Sequence, residues 1–387
     1  MSGSSGTSAQ KHEIRAVHVE SLRPAFPSLR RCTGRIRVGP MNLAKHWAAI
    51  LDDYVIGVAW SPDGSILAAA SAAGPITLFD AASGTVRHEL AGHADGTNAL
   101  AWAPDSSRLL ASGGQDGKVR FWRSAEGEQT AEASLGSAWV EHLAWRVGGD
   151  TPLLFAAAGK KLAAIDPAGA IVHAFPDAPK TISALSASAN ARVASGQKTG
   201  TSCLAAAYFG GVAVWEAKSF SSLREFGYGN ALPAVTWSPD GRWLVAGTQD
   251  NAVHLWAPAE DEELHMSGYE TKLRELSFSP DSKWLATGGG RDACVWDCSG
   301  AGPANREPTP LPHEGRVCAV AFQNHRSVVA SGAATGEFRL WAPTHRNPLL
   351  GEAKLPSPPT QFAWSSDDRL LAVGTEKGTV FVFRVDS

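Results

Sequence analysis

The 387-residue sequence predicts an all-β protein: a single ring of repeated four-stranded sheets, a β-propeller. Three observations predict it. The pentapeptide WSPDG stands at 60–64 and again at 237–241, with weaker copies WAPDS at 102–106, FSPDS at 278–282 and WSSDD at 364–368. Each copy lies between strand-length runs rich in β-branched and aromatic residues and bounded by Gly, Asp and Asn. The runs recur about every 40 residues, the period of a propeller blade, and none follows a helical period of 3.6.

Each unit is legible in order. A first, alternating segment precedes the motif: VIGVAW at 55–60, NALAWA at 98–103, AVTWSP at 234–239, RELSFS at 274–279, CAVAFQ at 318–323. A second, small-residue run follows it: ILAAAS at 66–71, LLASGG at 109–114, WLVAGT at 243–248, WLATGG at 284–289, VVASGA at 328–333, LLAVGT at 370–375. A third segment ends in an aromatic, at Phe79, Trp122, Trp215, Trp256, Trp296, Trp341 and Phe383. The long gap between Trp122 and Trp215 holds a worn copy, LLFAAAGKKLAAID at 153–166. A fourth, more polar strand lies between units, such as GTVRHEL at 84–90. The units run over 55–93, 97–135, 139–176, 181–226, 231–267, 272–311, 315–354 and 360–387, which makes eight. The last lacks a fourth strand, and HWAAIL at 46–51 can supply it, so that N- and C-terminal strands pair and no sheet edge is left open within the ring.

WSPDG is hairpin chemistry. The Trp ends the first strand and packs into the blade, Pro presets φ for a turn, Asp bonds its own backbone, and Gly accepts positive φ where the chain reverses. Nothing in it needs to be reactive.

At this level of detail the residues resemble the WD40-repeat β-propellers over nearly all of 46–387. The second unit is the best match, with Gly92-His93 before the first strand, Ser112 in the second, Asp116 in the turn QDG and Trp122 closing the third. The resemblance implies a buried structural tetrad in which Asp116 fixes His93, His93 reaches Ser112, and Ser112 reaches the indole of Trp122. The seventh unit keeps His313, Ser331 and Trp341 but has Thr335 where the acid belongs; the fifth keeps Asp250 and Trp256 but has Ala246 for Ser; the first, third, fourth and eighth lack the tetrad. Seven blades, the family's commonest number, is the alternative to eight.

Composition narrows the function classes. An apolar fraction of 44% with 19% charged residues describes a folded chain, and a net charge of −3 gives no field for nucleic acid or an anionic membrane. Five cysteines at irregular spacing form no disulfide framework, no apolar run approaches the length of a membrane span, and residues 1–40 lack the apolar core expected of a secretory signal. The expectation is a cytoplasmic protein, and the Ala- and Gly-rich, Lys-poor composition leans to a bacterial source. Residues 1–40, with MSGSSGTSAQ at 1–10 and RRCTGRIRVGP at 30–40, read as a disordered or basic N-terminal extension ahead of a propeller at 41–387.

In the WD40 family partners dock mainly on the rim where first strands begin and second-to-third turns emerge. Carried over by position, the resemblance implies a partner-binding rim of Tyr54, Asn98, Trp139, Glu141, Lys272, Arg274 and Arg316 at strand starts, with Gln115, Tyr208, Gln249 and Glu376 in the turns. One side would be aromatic (Tyr54, Trp139, Tyr208) and the other basic (Lys272, Arg274, Arg316); Trp139 and Tyr208 could equally pack inside their irregular blades. The expected activity is a non-enzymatic scaffold that binds a protein or peptide carrying apolar and acidic residues, as a monomer within a larger complex. The alternative is a propeller enzyme, or a metal or small-ligand binder, using the central channel. The strand starts Tyr54, Asn98, Trp139, Thr181, Ala231, Lys272, Arg316 and Pro358 provide no ring of acids for a hard cation, so no catalytic residue, metal or cofactor is assigned. Cys294 and Cys298 around Trp296 lack a second ligand pair and read as packing. GGG at 288–290 has no phosphate-loop context, and AEDEEL at 259–264 reads as a solvated loop.

Overall fold

The structure, a computed structural model, describes residues 15–18, 42–149 and 151–386. Eight four-stranded antiparallel sheets follow one another round a ring. Seven span 55–90, 97–134, 140–174, 182–227, 234–267, 276–312 and 317–354. The eighth combines Pro359–Trp364, Leu370–Thr375 and Thr379–Asp386 with Asn42–Ile50. The first strand of each blade touches the first strand of the next, and Val55–Trp60 touches Pro359–Trp364, so the ring is closed. The count is eight, not seven.

The closing strand is longer than HWAAIL. It pairs with the last strand from Asn42 opposite Asp386 to Ile50 opposite Thr379, with an irregularity between Lys45 and Trp47. Its partner runs eight residues, and an antiparallel ladder extends as far as both strands do. Of the expected extension at 1–40, only Arg15–His18 is described: it lies parallel to Leu264–Ser267 as a fifth strand on blade five. The rest of that extension lies outside the described residues.

Second strands are small-residue runs because they are covered on both faces; every residue of Ile66–Ser71 and Leu154–Ala158 is buried. Adjacent blades come close enough there to require glycine. A Cβ on Gly113 would lie 2.6 Å from Val140 of the next blade, and one on Gly374 would lie 2.6 Å from Val55 across the closure.

The repeated turn does more than its Pro, Asp and Gly suggest. The buried Ser61 hydroxyl donates to Asp63 at 2.6 Å and accepts from the Ile66 amide at 3.0 Å, and Ser238, Ser279 and Ser365 repeat this arrangement. Burial alone would raise the Asp63 carboxyl, but hydrogen bonds from Ser61, Ser65 and Ser107 prevail and hold it at about 2. Gly64 and Gly241 take the left-handed conformation at φ 71° and 70°. Asp368 takes it without glycine, at φ 61°, while its carboxylate accepts the Asn324 and His325 amides. The motif tryptophans are not confined to their own blades. Trp102 and Trp145 donate to the carbonyls of Ala59 and Ala101 in the preceding blade, both at 3.0 Å.

In blade two the Trp122 indole donates to Ser112 Oγ at 2.8 Å, Ser112 meets His93 Nε2 at 2.9 Å, and His93 Nδ1 meets Asp116 at 2.8 Å. The donors run one way along this chain: indole to hydroxyl, hydroxyl to neutral imidazole, imidazole to carboxylate. Blade seven has the same chain, which corrects the expectation that its acid is missing. Glu337, two residues beyond Thr335, turns back to meet His313 Nδ1 at 3.1 Å, and its extra methylene makes up the distance. Ser331 meets His313 and Trp341 at 2.7 Å each. Blade six has a third version, in which Tyr269 takes the histidine's place and accepts directly from the Trp296 indole at 2.7 Å.

Candidate functional site

At each strand start the chain emerges from a buried sheet into the mouth of the channel, so residue types there face solvent unless the neighbouring blade covers them. A pocket of about 560 Å³ opens between blades six, seven, eight and one. It gathers five of the expected rim residues, Tyr54, Lys272, Arg274, Arg316 and Glu376, over a floor that includes Leu276, Val320 and Phe362. Tyr54 therefore stands with the basic group, not on a separate aromatic side. Asn98 and Glu141 line a second, smaller space of about 210 Å³ with His142 and Gln361. Gln115, Trp139, Tyr208 and Gln249 line neither. Trp139 is 51% exposed, whereas Tyr208 is buried, and the exposed aromatic at that turn is its neighbour Phe209 at 52%. Tyr208 ends a strand pointing inward, and the alternation of side chains turns the next residue outward.

The electrostatics of the larger pocket are cationic at hydrogen-bonding range. Lys272, Arg274 and Arg316 are exposed, and among the described residues none has a side-chain hydrogen bond or an ion pair within 4.0 Å. Glu275, a lining residue that the sequence reading missed, feels the charges of Arg316 and Arg274. Burial pushes Glu275 up, while backbone amides and the charges of Arg316 and Arg274 pull it down. Burial also raises the Tyr54 hydroxyl, with Glu376 adding to the rise and Arg274 opposing it. Cys318, at the same wall, is pushed up to about 12 by burial first and Glu275 second, so its thiol is protonated and a poor nucleophile at neutral pH. Glu275 could be found from sequence only by alternation along an intact strand, and blade six breaks that pattern, its first strand being reduced to Leu276–Phe278, whereas Cys318 lies on the intact first strand of blade seven, Val317–Phe322.

Other candidates resolve locally. Cys294 and Cys298 are buried, and burial raises both thiols. Among the described residues no group of three or more His, Cys, Asp or Glu is placed to hold a metal ion. Within the acidic run at 259–264, Glu260 pairs with Arg242 at 2.5 Å and Asp261 with Arg224 at 3.0 Å.

Comparison with known proteins agrees with this architecture. Residues 84–123, 220–257 and 262–297 match the WD40 family (WD domain, G-beta repeat). The chain is 31% identical over 118 residues to WD repeat-containing protein slp1 of Schizosaccharomyces pombe, covering 29% of this chain and 24% of that protein. It is 31% identical to Actin-interacting protein 1 of Drosophila melanogaster, covering 32% and 22%, and 28% identical to APC/C activator protein CDC20 of Saccharomyces cerevisiae, covering 29% and 19%. The chain thus spans about a quarter or less of the length of the curated relatives it matches. These relatives are eukaryotic and lend the bacterial expectation no support. Among solved structures, the computationally designed Ika8 protein matches with a TM-score of 0.71 at 19% identity, over 88% of this chain and 99% of that one. The Dos1 propeller matches with a TM-score of 0.73 at 17% identity, over 88% and 95%. At those identities the likeness is one of fold.

Proposed function

We propose that this chain, which carries WD40 repeats, is a non-enzymatic interaction platform whose channel mouth between blades six and one takes a protein segment carrying acidic and apolar residues. One observation carries the reading: Lys272, Arg274 and Arg316, from two blades, converge on one pocket with no ion-pair partner of their own among the described residues. Structural arginines are normally consumed by neighbours, as Arg242 is by Glu260 here. Cations left free around an apolar floor suit a carboxylate followed or preceded by an apolar side chain. Tyr54 adds a rigid amphipathic contact at the same place. The relatives' names point the same way, one being named for actin and one as an activator of the APC/C.

The test is a pull-down with the tagged full chain from its native host, beside a Lys272→Ala/Arg316→Ala variant and a Trp139→Ala variant, read by mass spectrometry. The expected result is a protein partner held by the parent and lost by the pocket variant while its thermal midpoint is unchanged. Equal recovery by parent and pocket variant overturns the site. Loss on Trp139→Ala as well would extend the docking face towards blade three.

A further inference from the structure

On the opposite face, where the WSPDG-type turns emerge, a groove of about 940 Å³ lies across the seam between blades eight and one. Its walls come from both ends of the propeller and from blade seven: the first turn of blade one with its stretch 80–87, the loop 323–326 of blade seven, the turn 367–369 of blade eight, the last strand and the closing strand. The lining holds four arginines and four aspartates, so its formal charge balances. The balance hides an asymmetry in which groups are already engaged. Asp80 holds Arg87, donated at 2.5 Å, together with the Ser83 hydroxyl and amide. Asp367 accepts from Ser365 and the Arg369 amide. Asp368 accepts from the amides of Asn324 and His325. Arg326 and Arg384 have no such partner among the described residues, and Arg369 reaches Asp367 only at 3.8 Å. Asp386 is the one lining carboxylate left over among the described residues.

One buried group in the lining also lacks a partner. Gln323 is 2% exposed, its amide donates to the Asp368 carbonyl at 3.3 Å, and its Oε1 has no hydrogen-bond partner among the described residues. The donation fixes which end of the amide is Nε2, so the free end is an acceptor. A buried acceptor without a donor costs stability unless something supplies the donor.

We infer that this groove is a second binding site, for a phosphorylated polyol: the guanidinia of Arg326 and Arg384, which have no ion-pair partner among the described residues, take phosphoryl oxygens beside the loosely paired Arg369, and a hydroxyl next to them donates to Gln323 Oε1. Guanidinium groups match phosphate in a planar two-bond geometry. No Phe, Tyr or Trp lines the groove and its apolar lining is limited to small patches such as Leu370 and Val385, so it lacks both a stacking surface for a base and side-chain pockets for a peptide. A ligand there would also bridge the two ends of the chain and oppose opening of the ring.

The probe is inositol trisphosphate, which combines phosphates with free hydroxyls, titrated calorimetrically into the full chain and followed by thermal midpoint. Binding with a raised midpoint is expected. The Arg326→Gln/Arg384→Gln variant should bind about tenfold more weakly or worse, and the Lys272→Ala/Arg316→Ala variant should bind as the parent does. Inositol hexakisphosphate, whose hydroxyls are all esterified, should bind no tighter despite its greater charge. Absence of binding, binding that survives the groove variant, or much tighter binding of the hexakisphosphate would each overturn the assignment. Phosphatidylcholine vesicles doped with phosphatidylinositol bisphosphate separate the sources: co-sedimentation released by the soluble probe supports a lipid headgroup, and soluble binding without co-sedimentation supports a free one.

Discussion

The indole N–H of Trp60 donates to the backbone carbonyl of Ala363 at 2.9 Å, joining residues 303 apart in the chain across the seam of the ring. Trp364 makes the same bond to Ala321 one blade earlier, at 3.1 Å, so in blades one, two, three and eight the repeated tryptophan is a stitch to the blade before, whereas the Trp237 indole of blade five has no partner among the described residues. Trp60→Phe keeps the packing and removes the donor, leaving a partly buried carbonyl without its partner. The expected loss is about 1–2 kcal/mol, measured by urea unfolding. An unchanged midpoint would show that the seam does not depend on this bond.

The closing strand tests the seam more severely. Removing residues 42–50 strips the fourth strand from blade eight and uncovers Phe79 beside Trp47. The truncated chain is expected to lose its cooperative thermal transition and to become sensitive to limited proteolysis. A truncation of residues 1–14 is expected to leave the transition in place.

Glu337 offers a rescue experiment. Glu337→Ala removes the acceptor of the buried His313 Nδ1, which should cost about 1–3 kcal/mol. Adding Thr335→Asp restores an acid at the position that Asp116 fills in blade two, and part of the loss should return. A double variant no more stable than Glu337→Ala would mean that the two routes to the histidine are not equivalent.

Blade five contains a buried Trp256 indole whose N–H has no partner among the described residues, with Ala246 where blade two has Ser112. Ala246→Ser supplies an acceptor in the same register and should stabilise the protein by about 1 kcal/mol. A lower thermal midpoint would show that the added oxygen does not fit there.

Acid should destabilise the fold in a definite window. Burial holds His142 at about 4, far below its ordinary value of 6.5. Burial also lowers His93 and His313, against the opposing pull of Asp116 and Glu337. As pH falls from 6.5 towards 4 the unfolded chain takes up protons that the folded chain refuses, so stability is fully present above 6.5 and declines through that interval. The thermal midpoint should fall between pH 7 and pH 4.5, and less steeply in His142→Leu, which removes one of these groups without touching a tetrad. Identical pH profiles for the two proteins would rule out His142 as a contributor.

Much of this was legible in the chain. Strand positions, the number of blades and the closure follow from a local repeat: alternating residues, a turn motif and an aromatic, written eight times with varying wear. In two blades where wear removed a letter, the physics had moved to a neighbour. Blade seven's acid was hidden because a glutamate two positions on reaches the same histidine, and blade six's brace was hidden because a tyrosine hydroxyl stands in for an imidazole. Such substitutions preserve a hydrogen bond while changing the one residue that would signal it.

The sequence by itself determined the all-β repeat architecture, because strand period and turn chemistry are set by residues within a few positions of one another. Only the tertiary structure decided which charges are free. Lys272, Arg274 and Arg316 look no different in the chain from Arg242 or Arg87, yet the latter two are consumed by Glu260 and Asp80 while the former three meet at one pocket without a partner among the described residues. Whether a cation is a brace or a site depends on what the folded blades place within 4 Å of it, and closing the ring is what makes blades eight and one neighbours.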